Sequence, residues 1–330
     1  MKILVIRLSA IGDVLLTFPI LQEIKVKFPE AEIYFLTKEA QIPLLSLLPF
    51  EVKGLALQGS ISGTAKTLKG HRFDQIIDLH NNLRTVLLQM RMFQFTWSRV
   101  KKHNATKWCM TRCKTKNTWV PSIVERYAKA AKVELTGKRL AMNLEHVALP
   151  SALPNKYAAW VLGAKFKTKQ FPLEKIRETL ALCDVPMVLL GGKEELTMAR
   201  FLSQEFPRLI NLVGITDFFQ AALVLSRAQL VVTNDTGLMH LASFFNPAML
   251  CLWGNTVPGF GMGPYGCDKV EHFQVTDLSC RPCSKIGYKE CPKGHFKCMM
   301  QQDSSLLAQK ISALFHQESP KQLESPPYQR

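Results

Sequence analysis

The stretch Leu230-Val231-Val232-Thr233-Asn234-Asp235-Thr236-Gly237-Leu238-Met239-His240 decides how this chain is read. An apolar, β-branched run enters the polar turn Asn-Asp-Thr-Gly and continues into residues that favour a helix, so it predicts a strand, a tight turn and a helix start. Asn234 and Asp235 are candidate N-caps, and Gly237 lets a ligand approach the backbone. A helix beginning there points free N–H groups and the positive end of its dipole outward, which suits a diphosphate. An aspartate at such a turn can instead hold sugar hydroxyls. The same residues also describe an ordinary capped connection, and both readings stand at this point.

Outward from that strand the pattern repeats. Residues 157–162, 186–191, 209–213 and 248–253 are strand-like, and residues 173–182, 194–206, 218–228 and 238–245 are helix-like. In the first half the strand-like runs are 2–8, 32–37, 52–57, 73–79 and 96–101, with helical stretches such as 14–28 and 84–93 between them. This order predicts α/β domains with mostly parallel sheets and helices on both faces. Residues 143–156, with Pro150 and Pro154, break the rhythm and read as a linker. A chain of 330 residues exceeds what one core holds, so two Rossmann-like domains are expected, over residues 1–150 and 151–318. Leu306, Leu307, Ile311, Leu314 and Phe315 fit one face of a final helix. The tail 319–330, with Pro320, Pro326 and Pro327, has no apolar period and is expected to be disordered.

Forty-two Lys and Arg against 26 Asp and Glu give a net charge of +16, which favours an acidic partner. No long uncharged apolar run occurs, and the start Met1-Lys2-Ile3-Leu4-Val5-Ile6-Arg7 reads as a strand rather than a signal peptide, so a cytoplasmic location is expected. Basic residues crowd into 91–116, where Arg99, Lys101, Lys102, Lys107, Arg112, Lys114 and Lys116 interleave with Trp97 and Trp108, and Trp119 follows. That mixture suits an anionic membrane surface or base stacking, and equally a solvated face with packed indoles.

Two further turns carry chemistry. Arg7-Leu8-Ser9-Ala10-Ile11-Gly12-Asp13 joins the first strand to the first helix, where open α/β sheets bind ligands. With one glycine it is neither a dinucleotide fingerprint nor a P-loop. Asp13 there is either a helix cap or a general base. Gly163-Ala164-Lys165-Phe166-Lys167-Thr168-Lys169-Gln170-Phe171-Pro172 combines small residues with three lysines, fit for a diphosphate or simply solvated.

Together, the N-terminal motif through Asp13-Val14, the Gly163-Ala164 turn with Lys169-x-Phe171-Pro172, and Thr233–His240 followed by Leu252-Trp253-Gly254-Asn255-Thr256 resemble the ADP-heptose:lipopolysaccharide heptosyltransferases. The resemblance runs in order along nearly the whole chain. It implies a GT-B fold, with an N-terminal acceptor domain, a C-terminal nucleotide-sugar domain and an active site in the cleft between them. It puts Asp13 in the place of the catalytic base and Lys169 in that of the donor-phosphate lysine. Asp235, Thr236, Gly237 and His240 fall in the donor motif, and Ser9 and Gly12 line the turn that carries Asp13.

The implied reaction is direct displacement with inversion, from ADP-heptose to an acidic glycolipid acceptor of the lipid A/Kdo core type. Contact with the anionic membrane surface is expected, and nucleic acid is not. No cofactor is required if lysine and a helix N-terminus stabilise the diphosphate, and no DxD pair is present. The chain departs from the simplest members in Cys280, Cys283, Cys291 and Cys298, spaced C-x2-C-x7-C-x6-C. Four close cysteines in a cytosolic protein can form a structural zinc site, although the second pair lacks zinc-ribbon spacing; a metal-free loop is the other reading. A non-catalytic nucleotide- or nucleic-acid-binding α/β protein is the alternative to the enzyme.

Overall fold

Ile3-Leu4-Val5-Ile6 is an uninterrupted apolar run, as strands covered on both faces require, and all four side chains are fully buried. The computed structural model describes residues 1–92, 96–115 and 118–317 and divides into two units. The first unit holds residues 1–104 and 121–143. Along the chain come β1 (Lys2–Ile6), α1 (Ile11–Leu15), α2 (Phe18–Lys27), β2 (Glu32–Thr37), β3 (Lys53–Ala56), α3 (Ile61–Lys69), β4 (Gln75–Asp78), α4 (Leu83–Met92) and β5 (Trp97–Arg99). After α5 (Asn104–Arg112), the unit closes with α6 (Ile123–Ala131).

The strands form a parallel sheet in the order β3-β2-β1-β4-β5, with Lys2 opposite Glu32 and Ile3 opposite Gln75. The chain reverses its direction of travel across the sheet between β1 and β4, so a ligand crevice belongs beyond the carboxyl ends of those strands. Asp13 and His80 follow those two ends. The predicted helix 14–28 is broken in two, because Pro19 has no N–H to donate and fits only the first turn of α2. Leu4, Ile6, Leu36, Leu68, Ile76 and Leu88 form the core on one face of the sheet.

The second unit holds residues 105–120 and 144–330. Its elements are β6 (Ala158–Val161), α7 (Leu173–Ala181), β7 (Met187–Leu190), α8 (Leu196–Glu205), β8 (Ile210–Asn211), α9 (Phe218–Arg227), β9 (Leu230–Asn234), α10 (Gly237–Ser243), β10 (Ala248–Trp253), β11 (Val270–Gln274), α11 (Lys297–Met300) and α12 (Ser304–His316). Six parallel strands run in the order β11-β10-β9-β6-β7-β8. Here the reversal lies between β6 and β9, which brings the Gly163 and Asp235 turns to one crevice. The predicted final helix is α12, whose Leu307, Ile311, Leu314 and Phe315 join the main core with Trp160, Leu189 and Leu250.

Residues 105–120 do not stay with the N-terminal unit, as a division at residue 150 would have them. Met110 and Val120 pack with Phe260 in a small buried cluster, and the Val120 N–H donates to the Gly259 carbonyl at 2.9 Å, which ties this segment to the second unit. Strand β11 was not anticipated: Val-Glu-His-Phe-Gln mixes polar and apolar side chains because it is an edge strand. Phe93, Lys116 and the tail 319–330 lie outside the described residues. Among the described residues, no helix is long and apolar enough to cross a membrane.

Candidate active site

Asn234 closes β9 and is wholly buried. Its side-chain oxygen accepts the Phe171 N–H at 3.1 Å, and its amide donates to the Leu162 carbonyl at 2.8 Å. The side chain thus staples the start and end of the Gly163–Phe171 turn to the end of β9 rather than capping a helix. The N-cap of α10 is Thr236, in extended conformation and without a side-chain cap bond. Asp235 is therefore free of capping. Its Oδ2 lies 2.7 Å from Lys169 Nζ and accepts the Thr256 hydroxyl at 2.8 Å, with only 9% of its side chain exposed.

Of the three lysines in the turn, Lys165 and Lys167 are exposed, and only Lys169, on a 3₁₀ turn over Lys167–Lys169, points at the Asp-Thr-Gly segment. Gly163, Ala164, Gly191, Gly192, Glu195 and Thr236 line a cavity of about 390 Å³ at the ends of β6, β7 and β9. A Cβ on Gly163 would come within 2.7 Å of the Glu195 carboxylate, so a larger residue there would displace that carboxylate. Burial pushes the Glu195 carboxyl above its ordinary value, against the Gly192 N–H that it accepts at 2.9 Å. Gly237 begins α10, and His240, one turn on, is 3% exposed.

In the first unit Asp13 occupies the third position of α1, not the cap. Its Oδ2 accepts the Ala10 N–H at 3.0 Å, while Oδ1 meets Arg7 Nη2 at 2.8 Å. Arg7 also donates to the Leu79 carbonyl at 2.7 Å and lies over the Tyr127 ring, 5.7 Å from its centroid. Ser9 and Gly12 are half-buried on the same turn. Beside them Asp78, fully buried at the end of β4, accepts the Asn81 N–H at 2.7 Å and makes an ion contact with Arg99 at 3.3 Å. Burial, with Arg7 and Lys102 nearby, pushes His80 down to about 4. Among the described residues, Arg126 Nη2, Tyr127 Oη, His80 Nδ1 and Arg99 Nη2 are buried without a hydrogen-bond partner.

The basic run is not one solvated face. Arg99 turns inward to Asp78 and over Trp97, and Lys114 Nζ donates to the carbonyls of Cys280 and Pro282. Trp108 and Trp119 remain 59% and 70% exposed. The four cysteines 280, 283, 291 and 298 are free thiols. Among the described residues, no group of three or more His, Cys, Asp and Glu side chains is placed to hold a metal ion, so the zinc reading gains no support: Cys298 is buried in α11, and the Cys280 thiol contacts His295 at 3.9 Å.

Residues 62–293 match the model of glycosyltransferase family 9 (heptosyltransferase). The chain belongs to glycosyltransferase family 9. A lipooligosaccharide heptosyltransferase 2 from Haemophilus influenzae is 24% identical over 296 residues, covering 79% of this chain and 85% of that protein. The solved ADP-heptose LPS heptosyltransferase II of Escherichia coli superposes with a TM-score of 0.69 at 20% identity, covering 96% of this chain and 98% of that one. An E. coli heptosyltransferase solved with ADP gives 0.67 at 20% identity, over 95% and 100%. These likenesses establish the GT-B fold of two parallel-sheet α/β domains. As a family 9 member the chain is a glycosyltransferase, and the non-catalytic nucleotide- or nucleic-acid-binding alternative is not favoured.

Sequence reasoning singled out Asp13, Lys169 and Asp235 from their turns. It gave no role to Arg7 or Thr256, though both lie in quoted motifs, nor to Tyr127, Arg126 or Glu195. The signals were faint: Arg7 reads as the end of a strand, and Thr256 is brought to Asp235 only by the β9–β10 register, which sets Leu252 opposite Asn234.

Proposed function

We propose that this glycosyltransferase moves heptose from ADP-heptose to the inner core of lipopolysaccharide, with inversion at the sugar. Asp13 acts as general base: its carboxylate takes the acceptor hydroxyl proton as the acceptor oxygen bonds to the anomeric carbon and the bond to the diphosphate breaks. Lys169 stabilises the departing ADP, helped by the backbone N–H groups at Thr236 and Gly237. Asp235 and His240 hold the nucleotide sugar, and Ser9 and Gly12 shape the turn under the acceptor hydroxyl. No metal enters any of these steps. The observation that carries the reading is the pairing of Lys169 with Asp235, whose carboxylate also accepts the Thr256 hydroxyl, at the strand-order reversal of the second sheet, in a family 9 chain.

The acidic acceptor suits the net charge of +16. Peripheral contact with the anionic cytoplasmic membrane surface is a further part of the reading. It is supported by a cavity of about 600 Å³ lined by Arg112, Lys114, Lys285 and Lys293 beside Trp108, with no carboxylate in its lining. A thermal-shift screen tests the donor: ADP and ADP-heptose should raise Tm, and UDP- and GDP-sugars should not. Stabilisation by a UDP-sugar instead of ADP species would remove the donor assignment.

A further inference from the structure

The cysteine-rich loop has no part in the chemistry above, yet its Arg281 reaches under the donor residues. The guanidinium spreads its donors over four acceptors: Nε to the Gly254 carbonyl at 2.6 Å, Nη1 to the Val275 carbonyl at 3.0 Å, and Nη2 to the Thr256 carbonyl at 2.8 Å and Gln274 Oε1 at 2.6 Å. Two of these carbonyls bracket Asn255, and one belongs to Thr256, whose hydroxyl holds Asp235.

The same loop grips the other side of the ion pair. The Tyr288 backbone exchanges hydrogen bonds with the Thr168 hydroxyl: its N–H donates to Thr168 Oγ1 at 2.8 Å, and its carbonyl accepts from that hydroxyl at 3.1 Å. Thr168 immediately precedes Lys169. Between the two anchor points the Cys283 N–H donates to the Asn255 carbonyl and the Asn255 N–H to the Thr168 carbonyl, each at 3.3 Å. Gly254 is packed so tightly that a Cβ there would lie 2.4 Å from the Thr168 carbonyl oxygen. Lysine and carboxylate are thus each held from behind by one strap.

We propose that Arg281 is a positioning residue for glycosyl transfer: it fixes the Gly254–Thr256 turn, and through Thr256 the Asp235–Lys169 pair, in the geometry that receives the donor diphosphate. The inference rests on the donor reading above. A planar fork with five donors can satisfy three carbonyls and an amide at once, whereas an ammonium on a flexible stem cannot hold the same plane. A displacement of about 1 Å at a reacting group can cost roughly 10²-fold in rate.

The test compares Arg281→Met and Arg281→Lys with Thr256→Val, with the double variant Arg281→Met/Thr256→Val, and with Asp235→Asn. ADP affinity comes from calorimetry, and KM and kcat from transfer of heptose from ADP-heptose. Arg281→Met should lower donor kcat/KM roughly 10- to 100-fold and weaken ADP binding, with acceptor KM unchanged. Arg281→Lys should recover only part of the loss, and the double variant should be less impaired than the product of the single effects. Overturning results are a folded Arg281→Met with wild-type donor kinetics, equal damage to donor and acceptor KM, or strict multiplicativity with Thr256→Val. If Asp235→Asn leaves ADP affinity and donor KM intact, the donor reading has failed and the inference with it. Impairment in Asp235→Asn but not in Arg281→Met removes the positioning role alone. Should Arg281→Met not fold, Gln274→Leu takes away one anchor and should give the same donor-selective pattern in weaker form; an unselective pattern there also overturns the role.

Discussion

Replacing Asp13 with Asn separates a base from a structural partner, because the two roles differ in size and in what rescues them. Asp13 pairs with Arg7 at 2.8 Å, with 23% and 11% of the side chains exposed. Removing one partner of a buried pair costs about 3–5 kcal/mol, since the other charge is left uncompensated. Here the cost is smaller. Asp13 is partly wet, Arg7 keeps the Leu79 carbonyl and the Tyr127 ring, and the asparagine can still accept the Ala10 N–H. We expect a loss of about 1–3 kcal/mol, a sizeable share of the ~5–15 kcal/mol typical of a domain but not enough to unfold it. Loss of a general base, by contrast, lowers kcat by about 10²–10⁴, equivalent to ~3–5 kcal/mol of barrier. Urea unfolding reads the first effect, and heptose transfer from ADP-heptose to a heptose-free core lipid reads the second. Combining Arg7→Met with Asp13→Asn removes the orphaned charge. Stability should largely return while transfer stays as low as in Asp13→Asn alone. An Asp13→Asn enzyme that keeps more than about a tenth of wild-type kcat, or a double variant that regains activity with stability, would refute the base assignment.

Three other outcomes follow from the same geometry. Asn234→Ala leaves the Phe171 N–H and Leu162 carbonyl buried without partners and should cost ~2–4 kcal/mol in chemical unfolding; a loss under about 0.5 kcal/mol would show that the staple is not needed. His80, held down from 6.5 to about 4 in the folded state, contributes stability that is fully present above pH 6.5 and is lost as pH falls from there towards 4. Because the ring is only partly buried, the effect is ~1–2 kcal/mol rather than the full linkage, and an acid limb that stays equally steep in His80→Gln would assign it elsewhere. Charge reversal at Arg112 and Lys293 should weaken binding to anionic vesicles in a salt-sensitive way with donor KM unchanged; vesicle binding equal to wild type at low salt removes that surface from the membrane contact.

The parallel cores were legible because their strands are continuous apolar runs: Ile3–Ile6, Leu230–Val232 and Met249–Trp253 could be covered only on both faces. Edge strand β11 was not, since one exposed side lets polar residues alternate through it. The Asp13, Lys169 and Asp235 turns announced themselves by the polar break after an apolar run. What their side chains do was hidden, because it depends on partners 6 to 25 residues away in sequence: Arg7 for Asp13, Thr256 for Asp235, and Arg281 behind Thr256. Asn234 shows the limit most sharply. Its residue type suggested a cap, yet full burial leaves its amide nowhere to act except on the turn that crosses beside it.

The segment 105–120 has a consequence for synthesis and for dissection of this enzyme. The ribosome releases Met110 and Val120 before any strand of the second sheet exists, so they wait, apolar and without a core, until Phe260 emerges. The first unit is complete once residue 143 is out and can fold meanwhile. A fragment beginning at residue 144 would expose the Phe260 site and leave the Gly259, Cys280 and Pro282 carbonyls without the donors that 114 and 120 supply. Separate expression of the second unit therefore calls for residues 105–120 to be supplied as well, as a fused or co-expressed strand of chain.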